Sequence, residues 1–209
     1  MGGRLFFIIL YLIPNTTDTK MDNPDFKQIL TGDIDAYAGL YKEYYKRFYN
    51  YGRKFTTNIH LIEDSIQEVF LDLWNRREKL SHVDSPNYYL YSSFRYVLIK
   101  KIRQHDKMVF SESAEEAFEF SSEHVIVSNE LNEELQIKLQ KAIKTLTGRQ
   151  LEAIFLMYYE GLSYKEVAAI LNISVKATYK IMARSILALK EKFMILLLLF
   201  EYLLFLQIL

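Results

Sequence analysis

The 209 residues balance 26 Lys and Arg against 26 Asp and Glu, half of them are hydrophobic, and none is cysteine. The lack of cysteine excludes disulfides, thiolate metal sites and cysteine catalysis, and 7 Gly and 3 Pro beside 16 Tyr and 14 Phe favour long helices over a turn-rich strand fold. Zero net charge hides an asymmetry: 106–134 is acidic with Lys107 as its only Lys or Arg, whereas 135–195 is basic.

The chain opens on an apolar run from Leu5 to Ile13, too short to span a bilayer and followed by no small-residue cleavage site. Met21 looks like a natural beginning, so residues 1–20 are set apart as an upstream start extension, whether translated or not. A short helix is expected from Asn23 to Leu30, with Gly32 and Asp33 ending it. A Tyr-rich helix follows from about Asp35 to Phe55, in which Tyr37, Leu40, Tyr41, Tyr44, Tyr45, Phe48 and Tyr49 recur at three- and four-residue spacing. Such a stripe reads as core. After a turn at Thr57 and Asn58, a helix from Ile62 to Arg77 buries Ile62, Ile66, Val69, Phe70 and Leu73. Its other face gathers Asp64, Gln67, Glu68 and Asp72, which spacing alone leaves as a solvated face, and Trp74 alone reads as core.

Pro86 opens the next helix, YYLYSSFRYVLIKKIRQ, with Leu90, Phe94, Leu98 and Ile102 inward. Tyr88, Tyr89, Tyr91, Arg95, Tyr96, Lys100, Lys101 and Arg103 are expected outside or at the edge. Aromatics interleaved with Arg and Lys can stack bases beside a phosphate track, or form an ordinary basic surface. Residues 105–134 read as a linker rich in Glu and Ser. A helix resumes near Asn132 with Leu135, Leu139, Ile143 and Leu146 on one face. Thr147 caps another, in which Leu151, Ile154, Phe155 and Tyr158 pack inward and which Gly161 ends.

Ser163 and Glu166 form a capping box for a short helix through Leu171. Asn172 suits a left-handed C-cap. Ser174 caps a longer helix with Val175, Met182, Ile186, Leu189 and Phe193 at helical spacing. The pair reads as a helix-turn-helix, in which Lys176, Ala177, Tyr179, Lys180, Ala183 and Arg184 offer a small, basic outer face for a DNA major groove. Thr178 stands where such motifs usually carry an aliphatic residue. The tail, Met194 to Leu209, has one charge, Glu201, and suits a core helix, a partner-binding helix or, less favoured, a membrane contact. No glycine-rich phosphate loop and no paired histidines occur, so neither enzyme activity nor a metal or cofactor is expected.

In order, these segments resemble bacterial sigma factors of the extracytoplasmic-function group, especially those of Bacteroidetes. The resemblance covers about Asp25 to Phe193, and Glu63 to Trp74, EDSIQEVFLDLW, is its most specific part. It implies that Asp64, Gln67, Glu68 and Trp74 contact core RNA polymerase. It further implies that Asn87, Tyr88, Arg95, Tyr96, Lys100 and Lys101 melt the minus-ten promoter element and capture a flipped base. Ser174, Lys176, Ala177, Tyr179, Lys180 and Arg184 would bind the minus-thirty-five element. Ile181 departs from the polar or basic residue the family often has there.

The sequence therefore predicts an all-α chain of two small helical domains joined by an acidic linker, the second a helix-turn-helix. The divisions are 1–20, a polymerase and minus-ten domain at 21–105, the linker at 106–134, the helix-turn-helix domain at 135–193 and the tail at 194–209. The expected function is that of a cytoplasmic sigma factor directing promoter recognition, melting and initiation. Its partners would be core polymerase, promoter DNA and an anti-sigma factor. The alternatives are a stand-alone helix-turn-helix regulator and a membrane-tethered interaction protein. The free protein is expected to be compact, with linker glutamates such as Glu112, Glu115, Glu116 and Glu119 lying over Lys100, Lys101, Lys180 or Arg184.

Overall fold

The computed structural model describes residues 24–106, 118 and 141–189. The expectations for 1–20, for the linker glutamates, for Leu135 and Leu139, for Phe193 and for the tail lie outside them. The described residues form helices and contain no strand.

Helix α1 (Pro24–Leu30) buries Phe26 and Ile29. Gly32 turns the chain at φ 92°, a left-handed value that costs a glycine nothing. Asp33 then caps α2 (Ile34–Gly52), its carboxylate accepting from the amides of Asp35 and Ala36. Along α2 the residues Leu40, Tyr44, Phe48 and Tyr51 are buried at four- and three-residue steps, while Tyr37, Tyr41, Tyr45 and Tyr49 of the expected stripe are half-buried against that core. Asn58 caps α3 (Ile59–Arg76), which buries Ile62, Ser65, Ile66, Val69, Phe70 and Leu73. Helix α4 (Pro86–Asp106) starts with proline at its first position, where a missing N–H costs nothing, and Ser85 Oγ accepts from the amide of Tyr88. The Phe48 and Phe94 rings stack at 4.4 Å, joining α2 to α4. Aromatic pairs of this kind add about 0.5–1.5 kcal/mol beyond burial.

Tyr91 and Arg95 correct the sequence expectation. Both are buried rather than at an outer edge. One side of α4 packs on α2 and α3, and its other side meets the second domain. A helix covered on two sides carries no single apolar stripe for periodicity to find.

The second domain begins, within the described residues, at 141–143. Thr147 and Gln150 form a capping box for α5 (Gly148–Ile154). The expected straight helix then widens into a π turn over Phe155–Tyr159. Gly161, at φ 72°, ends it. The capping box of Ser163 and Glu166 starts α6 (Tyr164–Ile170) as expected. Asn172 turns at φ 51°, and the Ile173 amide donates to the Ala168 carbonyl at 2.9 Å. Ser174 Oγ accepts from the Ala177 amide at 3.1 Å, opening α7 (175–189). Met182 and Leu189 are buried and Ile186 half-buried, but Val175 is exposed. The inner place in that first turn belongs to Thr178. It is fully buried, and its hydroxyl donates to the Ser174 carbonyl at 3.3 Å. A hydroxyl satisfied within its own helix can stand in for an aliphatic group.

The two domains pack on each other. Tyr51 of α2 stacks on Phe155 at 5.4 Å, and Phe118, the one described residue of the linker interior, is buried against Tyr51, Phe55 and Phe155.

Candidate polymerase and promoter interfaces

Three surfaces carry the candidate residues. The first lies on α3, where burial of the apolar stripe forces Asp64, Gln67 and Glu68 outward. With Leu71, Asp72, Asn75 and Lys101 they line a shallow open groove of about 470 Å³. Trp74 stands beside it, half-buried, its ring 4.9 Å from that of Tyr37 and under the Arg77 guanidinium at 4.5 Å. Leu71, 60% exposed in the midst of these polar groups, was not foreseen. Its signal in the sequence was an apolar residue off the buried stripe. Lys101 pairs with Glu68 at 3.0 Å, so this lysine borders the acidic groove.

The second surface lies on α4. Tyr96 is 69% exposed, Lys100 is exposed and Tyr88 half-buried. Asn87 and Arg95 behave differently, for both face the second domain. The Arg95 fork donates to both oxygens of Glu152, at 2.7 and 3.3 Å. Tyr51 adds a 2.6 Å hydrogen bond to the same carboxylate. Glu152 is wholly buried.

Beside this pair lies a second one. Arg47 donates from Nε and Nη2 to Glu160 Oε2 at 3.0 and 2.6 Å. Asn87 Oδ1 accepts from the Tyr44 hydroxyl at 3.1 Å and from Arg47 at 3.4 Å, while its amide donates to the Glu160 carbonyl at 3.0 Å. Burial raises the Glu160 pKa, and the Arg47 charge works against that rise. Burial works to lower the Arg47 pKa, but Tyr91 and Glu160 leave it raised. Burial, and then the Glu160 charge, push the Tyr91 pKa well up. A third contact joins Ser85 to Glu166. Burial pushes the Glu166 pKa up, and hydrogen bonds from Ser85 and Ser163 more than offset it, leaving the pKa lowered.

The third surface is α7. Lys176, Tyr179, Lys180 and Arg184 are exposed on it, Ala177 is half-buried, and Ser174 serves as the cap. Tyr179 stacks on Tyr164 at 4.0 Å, which fixes its ring against α6.

Arg47, Ser85, Glu152 and Glu160 were missed in the sequence, and Glu166 was read only as the capping partner of Ser163. Arg47 sat inside a Tyr stripe, and Glu152 and Glu160 sat in a basic, apolar segment where nothing marked them as paired.

Comparison with known proteins gives these surfaces a context. Residues 40–108 match Sigma-70 region 2, and residues 136–189 match Sigma-70, region 4. The chain is 26% identical over 145 residues to the ECF RNA polymerase sigma factor SigK of Mycobacterium sp. (strain KMS), and equally to that of strain JLS. The alignment covers 68% of this chain and 75% of each relative. The fold is similar to that of the sigma factor RpoE from Bartonella quintana, solved with the anti-sigma factor NepR. There the TM-score is 0.53 and the identity 18%, over 77% of this chain and 98% of that one. It is also similar to CnrH, solved with the cytosolic domain of CnrY, at a TM-score of 0.51 and 18% identity over 80% and 93% of the two chains.

Proposed function

We propose that this chain, a sigma factor built from Sigma-70 regions 2 and 4, divides its work among the three surfaces. It binds core RNA polymerase and directs promoter recognition and the initiation of transcription. Within that activity, the groove on α3 takes the polymerase, with Asp64, Gln67, Glu68 and Trp74 supplying contacts and Leu71 an apolar anchor. Helix α4 takes the minus-ten element. Tyr88 and Tyr96 stack unpaired bases, Asn87 and Arg95 hold the strand, and Lys100 and Lys101 meet phosphates. Helix α7 takes the minus-thirty-five element through Lys176, Ala177, Tyr179, Lys180 and Arg184. A basic helix opening on a Ser cap presents both donors and free amides to DNA.

An anti-sigma factor is proposed as a further partner, since RpoE and CnrH were each solved with a protein partner. The chain is proposed to act in the cytoplasm, in the extracytoplasmic-function group and with a Bacteroidetes-like origin, and to carry out no covalent chemistry of its own. Among the described residues no helix is long and apolar enough to cross a membrane.

The observation that carries the division of labour is the acidic groove on the same helix as the segment from Glu63 to Trp74, separate from the basic face of α7. Reversing charge at Asp64 and Glu68 tests it. Both side chains are exposed, and exposed charges contribute little to stability. The double substitution Asp64→Lys and Glu68→Lys should keep the thermal melt and weaken core polymerase capture by about tenfold or more, a loss of about 1.4 kcal/mol. Undiminished capture would reject the groove as the polymerase site.

A further inference from the structure

The span matched by region 4 holds eight Lys and Arg residues and three acidic ones, Glu152, Glu160 and Glu166. All three of these glutamates point into region 2. Glu152 meets Arg95 and Tyr51, Glu160 meets Arg47, and Glu166 meets Ser85. Every acidic residue of that span has a partner in region 2, although Glu166 also caps α6 at Ser163.

The π turn contributes to this. In an α-helix, eight residues overshoot two full turns by roughly 80°. Each step of a π turn rotates less, so the widened turn over Phe155–Tyr159 brings Glu160 back toward the side of Glu152.

The receiving face offers an arginine to each of two carboxylates, Arg47 to Glu160 and Arg95 to Glu152, with Asn87 on the Glu160 carbonyl. Asn87, Tyr91 and Arg95 follow one another at four-residue steps along α4. Arg47 completes the face from α2. An arginine fork suits the oxygens of a phosphate as well as those of a carboxylate.

The choice of charge is itself informative. A buried ion pair adds little to a permanent interface that apolar residues would not supply as well. Charged partners that separate into water keep both halves soluble.

We propose that Arg47, Asn87 and Arg95 form a phosphate site for the promoter strand on region 2, and that Glu152 and Glu160 of region 4 occupy it as internal stand-ins until polymerase draws region 4 away. The proposal rests on the sigma-factor reading. It differs from the expected linker gate in its occupant: the glutamates come from region 4 and the site is not one of the exposed lysines.

The test uses the full chain and a single-stranded oligonucleotide of scrambled sequence, which probes backbone phosphates without base readout. Glu152→Gln together with Glu160→Gln keeps the side-chain size and removes the charge. Because the affinity of a partly closed protein falls by its open fraction, this pair should bind the oligonucleotide at least about tenfold more tightly than the parent at low salt. Adding Arg47→Ala should remove most of the gain.

A further arm separates opening from the mere loss of two negative charges. The chain has no cysteine, so Ser85→Cys and Glu166→Cys, added to the Gln pair and joined by a short bis-maleimide, would hold the domains together. The crosslinked protein should lose the gain and its uncrosslinked form should keep it. No gain at low salt, a gain that survives the crosslink, or a gain indifferent to Arg47→Ala would each overturn the phosphate site. Run-off transcription by the parent chain with core polymerase is read separately. A parent that initiates while the Gln pair gains nothing overturns this site alone.

Discussion

Gly52 shows how one residue sets the distance between two helices. It lies at the end of α2, and a Cβ there would come 2.8 Å from Ile62 Cγ2 and 3.3 Å from Phe94 Cζ. Alanine ordinarily gains roughly 1 kcal/mol over glycine inside a helix. Here the sign reverses, because the Ile62 side chain is fully buried and has nowhere to move. Gly52→Ala should destabilise region 2 by about 1–3 kcal/mol, the usual range for overpacking, read as a lower midpoint in urea. An unchanged or higher midpoint would mean that α2 and α3 slide apart freely. Other single residues were legible from sequence for equally local reasons. The cap at Ser163 and the left-handed turn at Asn172 depend on chemistry within a few residues. Arg95 was not legible. Its partner lies 57 positions away, and an arginine among tyrosines looks the same from sequence whether it faces water or Glu152.

At the scale of the element, the turn between α6 and α7 holds the helix-turn-helix together. Asn172 tolerates its φ of 51° because its short polar side chain makes the left-handed region less costly. Asn172→Gly should leave the melting of region 4 close to the parent's, whereas Asn172→Val should cost roughly 1–2 kcal/mol, since a β-branched side chain clashes there. If both variants melt with the parent, the turn does not constrain the domain. Helix identity was legible wherever apolar spacing was regular: α2, α3 and α7 lie close to their expected positions. The π turn was not, because Phe155 to Tyr159 is apolar or aromatic throughout and offers no spacing to reveal a change of winding. Val175 departs from its expected inward place for a related reason, while Thr178 fills the aliphatic position at which the sequence placed it. A first helical turn has few neighbours to bury Val175, and the Thr178 hydroxyl is satisfied by its own backbone.

For the whole molecule, the order of segments carried the two-region architecture, while the way the regions meet had no signature in either one. Arg47 and Arg95 of region 2 and Glu160 and Glu152 of region 4 become partners only when the chain closes. Phe118 adds an apolar pin between Tyr51, Phe55 and Phe155, so the linker interior holds the closure at this point by aromatic packing. The account therefore has two states. In the closed one Arg47, Asn87 and Arg95 are taken up by region 4, and in the polymerase-bound one they are released. The most direct measurement is the distance between the regions with and without polymerase. Lys46→Cys on α2 and Leu187→Cys on α7 are at exposed positions in a cysteine-free chain, and can carry a donor and an acceptor dye. The account predicts one high-transfer population for the free protein and a shift to low transfer on adding core polymerase, with the Glu152→Gln and Glu160→Gln pair moving part of the way unaided. An energy transfer that core polymerase leaves unchanged, at concentrations where it is bound, would contradict it.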